Sequence, residues 1–214
     1  YKVTGVQTCA LPICDLEPPA SLDQLVDPTY AGLLAVQHPG TSSPGLAFLL
    51  STIVRIGDHW TNYWQDLVAN GVLITNDWEE AYYGAFTRAG GDRPLVVSYG
   101  SSPPFEVLYG DDPSATVAPT GIIDDTCYRQ VEFAGVLRGT DSPNEARQLV
   151  DFLVSNEFQQ HIPLNLYVFP VADVELDKVF VDHAVIPENP PALTPSEIDD
   201  GRATWVELWA DITG

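Results

Sequence analysis

Apolar residues follow two different periods near the start of the chain, and the change of period marks a strand followed by a helix. The short apolar run at residues 33–37 predicts a buried strand. Apolar side chains then recur at helical spacing, at Leu46, Leu49, Leu50, Ile53 and Val54. Ser43 fits the N-cap of this helix and Pro44 its first position. Such a helix start points free backbone N–H groups at whatever lies in front of it, so it suits an anion.

The same alternation continues to the end of the chain. Further strands are predicted at residues 71–75, 93–99, 128–137 and 166–171, and further helices at 60–69, 77–88, 142–155 and 194–212. Residues 110–126 predict a loop, and 172–195 an extended, proline-rich segment. Strand–helix alternation predicts an α/β sheet covered on both faces. Ligands of such sheets bind beyond the carboxyl ends of strands, so residues 37–50 and 98–105 are predicted walls of one cleft.

The net charge of the chain limits the classes of molecule that it could bind. The chain of 214 residues carries 9 basic and 30 acidic side chains, a net charge of −21. Nucleic acid is excluded as a partner, because its backbone requires clustered Lys and Arg. No run of about 18 apolar residues predicts a membrane span. Acidity suits a secreted or surface protein or a cationic ligand.

The first residues are predicted to differ in origin from the rest of the chain. Residues 3–13 read VTGVQTCALPI, which resembles a translated sequencing adapter. We therefore expect residues 1–14 to be a sequencing or assembly artefact and the remainder to be the C-terminal part of a longer protein. A short natural segment is the alternative. Outside this segment Cys127 is the remaining cysteine, so cysteine spacing predicts no disulfide framework.

Candidates for catalysis and metal binding are weak. There is no GxSxG motif, and His38, His59, His161 and His183 lack metal-ligand spacing. Cys127 follows two aspartates, which should raise the pKa of its thiol, so a small buried residue is expected there. Tyr82 and Tyr83 could be phenolate ligands of ferric iron. Helical neighbours point about 100° apart, which favours one tyrosine in the core and one at its edge.

Aromatic residues beside turns are the positive signal for a ligand. Trp78 opens a helix, Tyr99 ends a strand, Phe105 follows two prolines, and Tyr167 precedes a predicted strand. Aromatic faces next to an anion-binding helix start suit a ligand with a flat cationic ring and a phosphate or hydroxyl tail.

Five stretches together resemble one family. HPGTSSPGLAFLL, NGVLITNDWEEAYYGAFTRAGGDRPLVVSYGSSPPF, YRQVEFAGVLRGT, ARQLVDFLVSNEFQQHIPLNLYVFPV and RATWVELWADI are similar to the thiamine-binding solute-binding proteins of ABC importers, in order from residue 21 to the end. The resemblance implies a periplasmic-binding-protein-like α/β fold of type II, in a fragment that lacks most of the first lobe. It assigns residues 15–155 to the second lobe. Residues 156–214 become a crossing strand and C-terminal helices that return to the first lobe, which leaves Trp205 and Trp209 without part of their packing surface.

The resemblance also implies a ligand site. Ser42, with Ser43, matches the phosphate end, Trp78 the aromatic beside the ligand, and Tyr99 a tyrosine of the cleft. Phe105 stands where the family often has tyrosine, and Tyr167 where it often has tryptophan, so both keep an aromatic face. These departures leave the exact ligand open.

The implied protein is a monomer that captures thiamine or a thiamine phosphate and delivers it to the membrane permease of an ABC importer. It is periplasmic or membrane-anchored outside the cytoplasm, needs no cofactor or metal, and is not an enzyme. The alternatives are a binder of ferric iron or another small solute, and a thiaminase-like enzyme on the same fold. The enzyme would need a cysteine nucleophile, for which Cys127 is the candidate in this sequence.

Overall fold

A five-stranded sheet forms the centre of the molecule. The computed structural model describes residues 16–110, 112, 115–187 and 190–214, together with the backbone of residues 2–9. The strands are β1 Lys2–Cys9, β2 Leu34–Gln37, β3 Leu73–Thr75, β4 Leu95–Tyr99 and β5 Thr120–Gln130. Their order in the sheet is β3-β2-β4-β1-β5. Strand β2 is parallel to β3 and β4, whereas β1 is antiparallel to β4 and β5.

Eight α-helices surround or follow the sheet in the described residues. They are α1 Ser43–Ile56, α2 Trp60–Ala69, α3 Ser102–Leu108, α4 Pro143–Leu153, α5 Asn156–Gln159, α6 Ile162–Leu166, α7 Lys178–His183 and α8 Pro195–Thr213. A π-helical turn covers Glu80–Ala85, and short 3-10 turns cover Asp23–Val26, Pro28–Tyr30, Gly57–His59 and Thr87–Ala89. Within the described part of the chain no helix is long and apolar enough to cross a membrane.

Alternation along the central strands divides the core between the two faces of the sheet. Leu34 and Val36 of β2 belong to the larger apolar cluster, which they share with side chains of α1, α2 and α8. Ala35, between them, packs with Tyr82 and Phe86 on the opposite face. Successive side chains of a strand point to opposite faces, so this four-residue strand supports both layers.

Helix α8 joins the larger cluster. Thr194 caps it as expected: its hydroxyl accepts the N–H of Glu197 while the Glu197 carboxylate accepts the N–H of Thr194. The expectation that Trp209 would lack packing surface is wrong. Its side chain is 1 % exposed and meets Trp64 of α2 edge to face, with ring centroids 5.4 Å apart. The helix therefore packs on elements of the 15–155 segment.

The structure corrects several predicted elements and boundaries. The N-cap of α1 is Ser42 rather than Ser43: Ser42 has extended backbone and its hydroxyl accepts the N–H of Gly45. Strand β5 begins at Thr120, inside the predicted loop, because pairing with β1 outweighs the turn-forming composition there. Residues 131–137 and 166–171 are not strands, and the 172–195 segment contains α7, whose N-cap is Asp177.

Strand β1 lies in the segment that we predict to be an artefact. Its backbone pairs with β4 on one side and β5 on the other. Every residue except proline supplies the N–H and C=O groups that such pairing needs, so the pairing does not distinguish a natural strand from a foreign one. The origin of residues 1–14 stays a prediction, and residues 1 and 10–15 lie outside the described residues.

Apolar side chains are exposed on α4 and on the segment before it. Helix α4 has no buried residue, and Leu149 and Phe152 are 57 % and 44 % exposed on one of its faces. Phe133 and Leu137 are 90 % and 81 % exposed. Exposed apolar side chains thus lie on residues 131–154 as well as on α8, where Leu208 is 42 % exposed. The division of the chain at residue 155 stays a prediction.

Candidate functional site

Three helix starts meet at one edge of the sheet. Because β2, β3 and β4 are parallel, their carboxyl ends lie side by side, with Gln37 paired to Thr75. Helix α1 follows β2, the π-helical turn follows β3, and α3 follows β4. The Thr41 hydroxyl donates to the carbonyl of Asn76, which ties the first two of these connections together. This is the edge at which α/β sheets bind ligands.

An aromatic cavity of about 250 Å³ opens at this edge. The structure brings Trp78, Tyr99, Phe105 and Tyr167 together in its lining, although they come from three separate parts of the sequence. The remaining lining residues are Tyr82, Tyr83, Ser101, Ser102 and Leu166. Aromatic rings and a few hydroxyl groups in a concave site are typical of a small-molecule pocket.

The indole of Trp78 is held from two directions. Its ring stacks on Tyr82, with centroids 4.7 Å apart and planes inclined by 20°. Its Nε1–H donates to Ser98 Oγ at 3.0 Å, and Ser98 Oγ lies 2.8 Å from Ser102 Oγ. The Ser102 hydroxyl also accepts the N–H of Tyr99. The sheet edge and α3 therefore fix the orientation of the indole before any ligand arrives.

A buried carboxylate anchors Tyr82 beneath the indole. The Tyr82 hydroxyl donates to Glu106, whose other oxygen accepts Arg88 Nε–H at 3.1 Å. Glu106 is 9 % exposed, and the ion pair with Arg88 compensates for its burial. Phe105 precedes Glu106 on α3. This one helix therefore contributes a ring to the cavity and a carboxylate that supports Tyr82.

The facing wall contains Phe105 and Tyr167, which meet edge to face with centroids 4.8 Å apart. Tyr167 follows α6 in the left-handed region, with φ 50° and ψ 44°, a conformation that costs energy in a residue other than glycine. The Ser101 hydroxyl donates to the Tyr167 carbonyl and thereby holds the strained residue against α3. Desolvation, and then the neighbouring Tyr109, raise the pKa of the Tyr167 hydroxyl above its ordinary value.

Ser42 and Ser43 lie at the same sheet edge but are not among the described residues that line the aromatic cavity. Ser42 is buried, 8 % exposed, as the cap of α1, and Ser43 is exposed in the first turn. The structure thus gives Ser42 a capping role. A ligand contact of either serine stays a prediction.

Sequence reasoning missed part of this lining. Helical spacing favours one of Tyr82 and Tyr83 in the core and the other at its edge, and Tyr82 is 2 % exposed while Tyr83 is 53 % exposed. Both nevertheless line the cavity, because the segment is π-helical rather than α-helical. Nothing in the sequence pattern signalled the π-helical turn. Ser101 and Ser102 could have been found, since they lie in the 98–105 motif that predicted a cleft wall.

Nucleophilic and metal chemistry find no support in the described residues. Burial, and then the nearby Asp124, raise the pKa of Cys127 to about 12, which confirms the expected inert, buried thiol. Cys127 packs with Phe169 and Phe180 in a separate apolar cluster. Among the described residues no group of three or more His, Cys, Asp or Glu side chains could hold a metal ion.

Comparison with known proteins agrees with the fold. A sequence model of the family described as "Bacterial extracellular solute-binding protein" matches residues 12–192. The chain is 34 % identical over 192 residues to the thiamine-binding periplasmic protein of Salmonella typhimurium. It is 32 % identical over 201 residues to the protein of that name from Brucella abortus. These alignments cover 90 % and 92 % of this chain but 57 % of each relative, so the chain spans little more than half of their length.

Solved structures lead to the same family. The chain superposes on a periplasmic thiamin binding protein with a TM-score of 0.86 and 29 % identity, over 100 % of this chain and 64 % of that one. An iron-bound HitA from Pseudomonas aeruginosa matches with a TM-score of 0.67 and 18 % identity, over 99 % of this chain and 67 % of that one. The second similarity shows the common fold alone. The predicted α/β fold of the periplasmic-binding-protein type is confirmed.

Proposed function

The chain belongs to the family of bacterial extracellular solute-binding proteins, and from this we propose that it captures thiamine or a thiamine phosphate outside the cytoplasm. The named relatives at 32–34 % identity are thiamine-binding periplasmic proteins, which supports the choice of ligand. In this proposal the loaded protein delivers its ligand to the membrane permease of an ABC importer. It acts as a monomer and a carrier, without a cofactor and without changing the ligand.

The aromatic cavity is the observation that carries the proposal. Trp78, Tyr99, Phe105 and Tyr167 line one cavity of about 250 Å³. The thiazolium ring of thiamine bears a permanent positive charge, and the face of an aromatic ring attracts a cation by roughly 0.5–2 kcal/mol. The indole of Trp78 is the best such face and is already oriented by Ser98 and Tyr82. The net charge of −21 adds a long-range attraction for a cation.

The chemistry of the two tyrosines does not favour ferric iron. An iron site of this kind needs phenolates, but the Tyr82 hydroxyl is buried and donates to Glu106. Desolvation, then Glu106 and Glu79, raise the pKa of the Tyr83 hydroxyl. Both effects stabilise the protonated phenols over the phenolates that would bind iron. Thiamine is therefore the ligand that fits these side chains better.

Titration calorimetry with thiamine tests the proposal, using the protein expressed with its contiguous upstream coding sequence. Trp78→Ala removes apolar contact and the attraction between the indole face and the cation. The expected cost is about 2–4 kcal/mol of binding, or roughly thirty- to a thousandfold in affinity. Trp78→Phe should recover much of the loss, because one ring face remains.

Trp60 provides the matched control. It is 8 % exposed and belongs to the larger apolar cluster, away from the cavity lining. Trp60→Ala should lower the melting temperature and leave the affinity of the folded protein unchanged, and Trp60→Phe is the milder version. A protein that does not bind thiamine, or that binds it equally well after Trp78→Ala, would contradict the proposal.

A further inference from the structure

We propose that Tyr83 is a ligand-contacting residue that closes the open side of the aromatic cavity, and that its neighbour Tyr82 serves to support Trp78. The inference rests on the proposed function, because it concerns the same cavity. It assigns different roles to two adjacent tyrosines that the sequence alone does not distinguish.

The backbone explains how both tyrosines reach one cavity. In an α-helix successive side chains diverge by about 100°, which turns one of two neighbours away from a site. Residues Glu80–Ala85 instead form a π-helical turn, in which the Phe86 N–H donates to the Ala81 carbonyl at 2.9 Å. The wider turn reduces the divergence, and both Tyr82 and Tyr83 line the cavity. Such single π-helical turns occur frequently at functional sites.

The surroundings of the two rings separate their roles. Tyr82 is 2 % exposed, stacks under Trp78 and donates its hydroxyl to Glu106, so it has the contacts of a core residue. Tyr83 is 53 % exposed and meets Trp78 edge to face, with centroids 5.3 Å apart. About half of the Tyr83 surface is free to be covered by a molecule that enters the cavity.

Charge around Tyr83 suits a cation. Glu79 and Glu106 lie close enough to contribute to the raised pKa of its hydroxyl, after desolvation. The phenol therefore stays protonated and neutral at physiological pH, and the surrounding potential is negative. A cationic ring placed between Trp78 and Tyr83 would meet aromatic surface from two sides. Part of the negative charge of Glu106 is balanced by Arg88.

Three variants in the protein with its upstream coding sequence test the inference by thiamine titration and thermal melting. Tyr83→Ala should weaken binding about three- to thirtyfold with an unchanged melting temperature, since an exposed ring contributes little to folding. Tyr83→Phe should recover most of that loss, because it keeps the ring. Phe133→Ala is the matched control: that ring is 90 % exposed and lies outside the cavity lining, so its loss should leave affinity unchanged.

The outcomes separate this inference from the function on which it rests. If the wild-type protein does not bind thiamine, the proposed function fails. If the wild type binds and Tyr83→Ala binds as tightly as Phe133→Ala, the function stands and the role of Tyr83 is overturned. If Tyr83→Ala loses affinity and its melting temperature also falls, the ring is assigned to packing. That outcome would also overturn the proposed role of Tyr83.

Discussion

Cys127 illustrates how burial changes the chemistry of one side chain. The thiol is enclosed with Phe169 and Phe180, and desolvation is the largest cause of its raised pKa. The pair Asp124 and Asp125 reinforces this effect, whereas Arg55 opposes it. A thiol whose pKa is raised to about 12 is a poor nucleophile at neutral pH, so a cysteine-dependent reaction at this position is disfavoured.

The raised pKa of Cys127 predicts a loss of stability in alkaline solution. In the unfolded chain the thiol ionises near pH 8.5, whereas in the folded protein it keeps its proton to a higher pH. The contribution of the protonated thiol to the free energy of unfolding therefore falls as pH rises from about 9 to about 12. Between about pH 7.5 and about pH 10 the free energy of unfolding should decrease by about 1–2 kcal/mol more in the wild type than in Cys127→Ala. Urea unfolding of both proteins at the two pH values measures the difference. Equal pH dependence of the two proteins would show that the thiol is not desolvated.

Gly45 governs the distance between helix α1 and strand β2. A Cβ atom at this position would lie 2.4 Å from the carbonyl oxygen of Gln37, which is backbone and cannot rotate away. The glycine therefore permits the start of α1 to approach the end of β2 at the ligand edge of the sheet. This contact sets the position of the helix start relative to the other two connections.

Gly45→Ala tests whether the gain in helix propensity or the steric cost of the added methyl group has the larger effect on stability. Alanine gains about 1 kcal/mol of intrinsic helix stability over glycine, but overpacking against backbone costs about 1–3 kcal/mol or more. We expect the steric cost to be larger, so Gly45→Ala should lower the free energy of unfolding. Gly135→Ala is the control, because no heavy atom of the described residues, apart from its chain neighbours, lies within 4 Å of its added Cβ. Chemical denaturation measures both, and a stabilised Gly45→Ala would contradict the close approach.

The molecule as a whole combines a covered core with exposed apolar side chains. Helix α8 completes the core through Trp209, whereas α4 exposes Leu149 and Phe152. Exposed apolar patches of several hundred Å² are uncommon in monomeric proteins and promote association. The net charge of −21 opposes association, but salt near 0.15 M screens charges more than about 8 Å apart.

The exposed face of α4 predicts self-association of the 214-residue chain. Sedimentation velocity in roughly 0.15 M salt should show larger species as concentration rises. The double substitution Leu149→Glu with Phe152→Glu should reduce them. Arg147→Glu on the same helix changes the net charge by the same −2 and leaves the apolar surface in place, so it should still associate. A chain that stays monomeric throughout would show that the face is too small to matter.

Local chemistry in the sequence determined much of this structure. The capping box at Thr194 and the strand–helix alternation from β2 to α3 depend on neighbouring residues, and both are confirmed. Trp78, Tyr99 and Phe105 come together because they stand at or after the ends of β3 and β4, which belong to one sheet, and the Ser101 hydroxyl holds Tyr167 against them. The α/β fold could be predicted from pattern alone. Of the two predicted cleft walls, residues 98–105 contribute to the aromatic cavity, whereas residues 37–50 are not among its described lining residues.

Tertiary contacts decided the remaining features, because they join residues that are far apart in the chain. Strand β5 extends to Thr120 through pairing with β1, and α8 packs through Trp209 on Trp64, 145 positions earlier. The support of Tyr82 by Glu106 also bridges separate elements. Sequence periodicity reports which face of an element is apolar, but not which neighbour covers that face. The π-helical turn belongs with these features, because the Glu106 carboxylate that accepts the Tyr82 hydroxyl lies on α3 and is absent from the isolated segment.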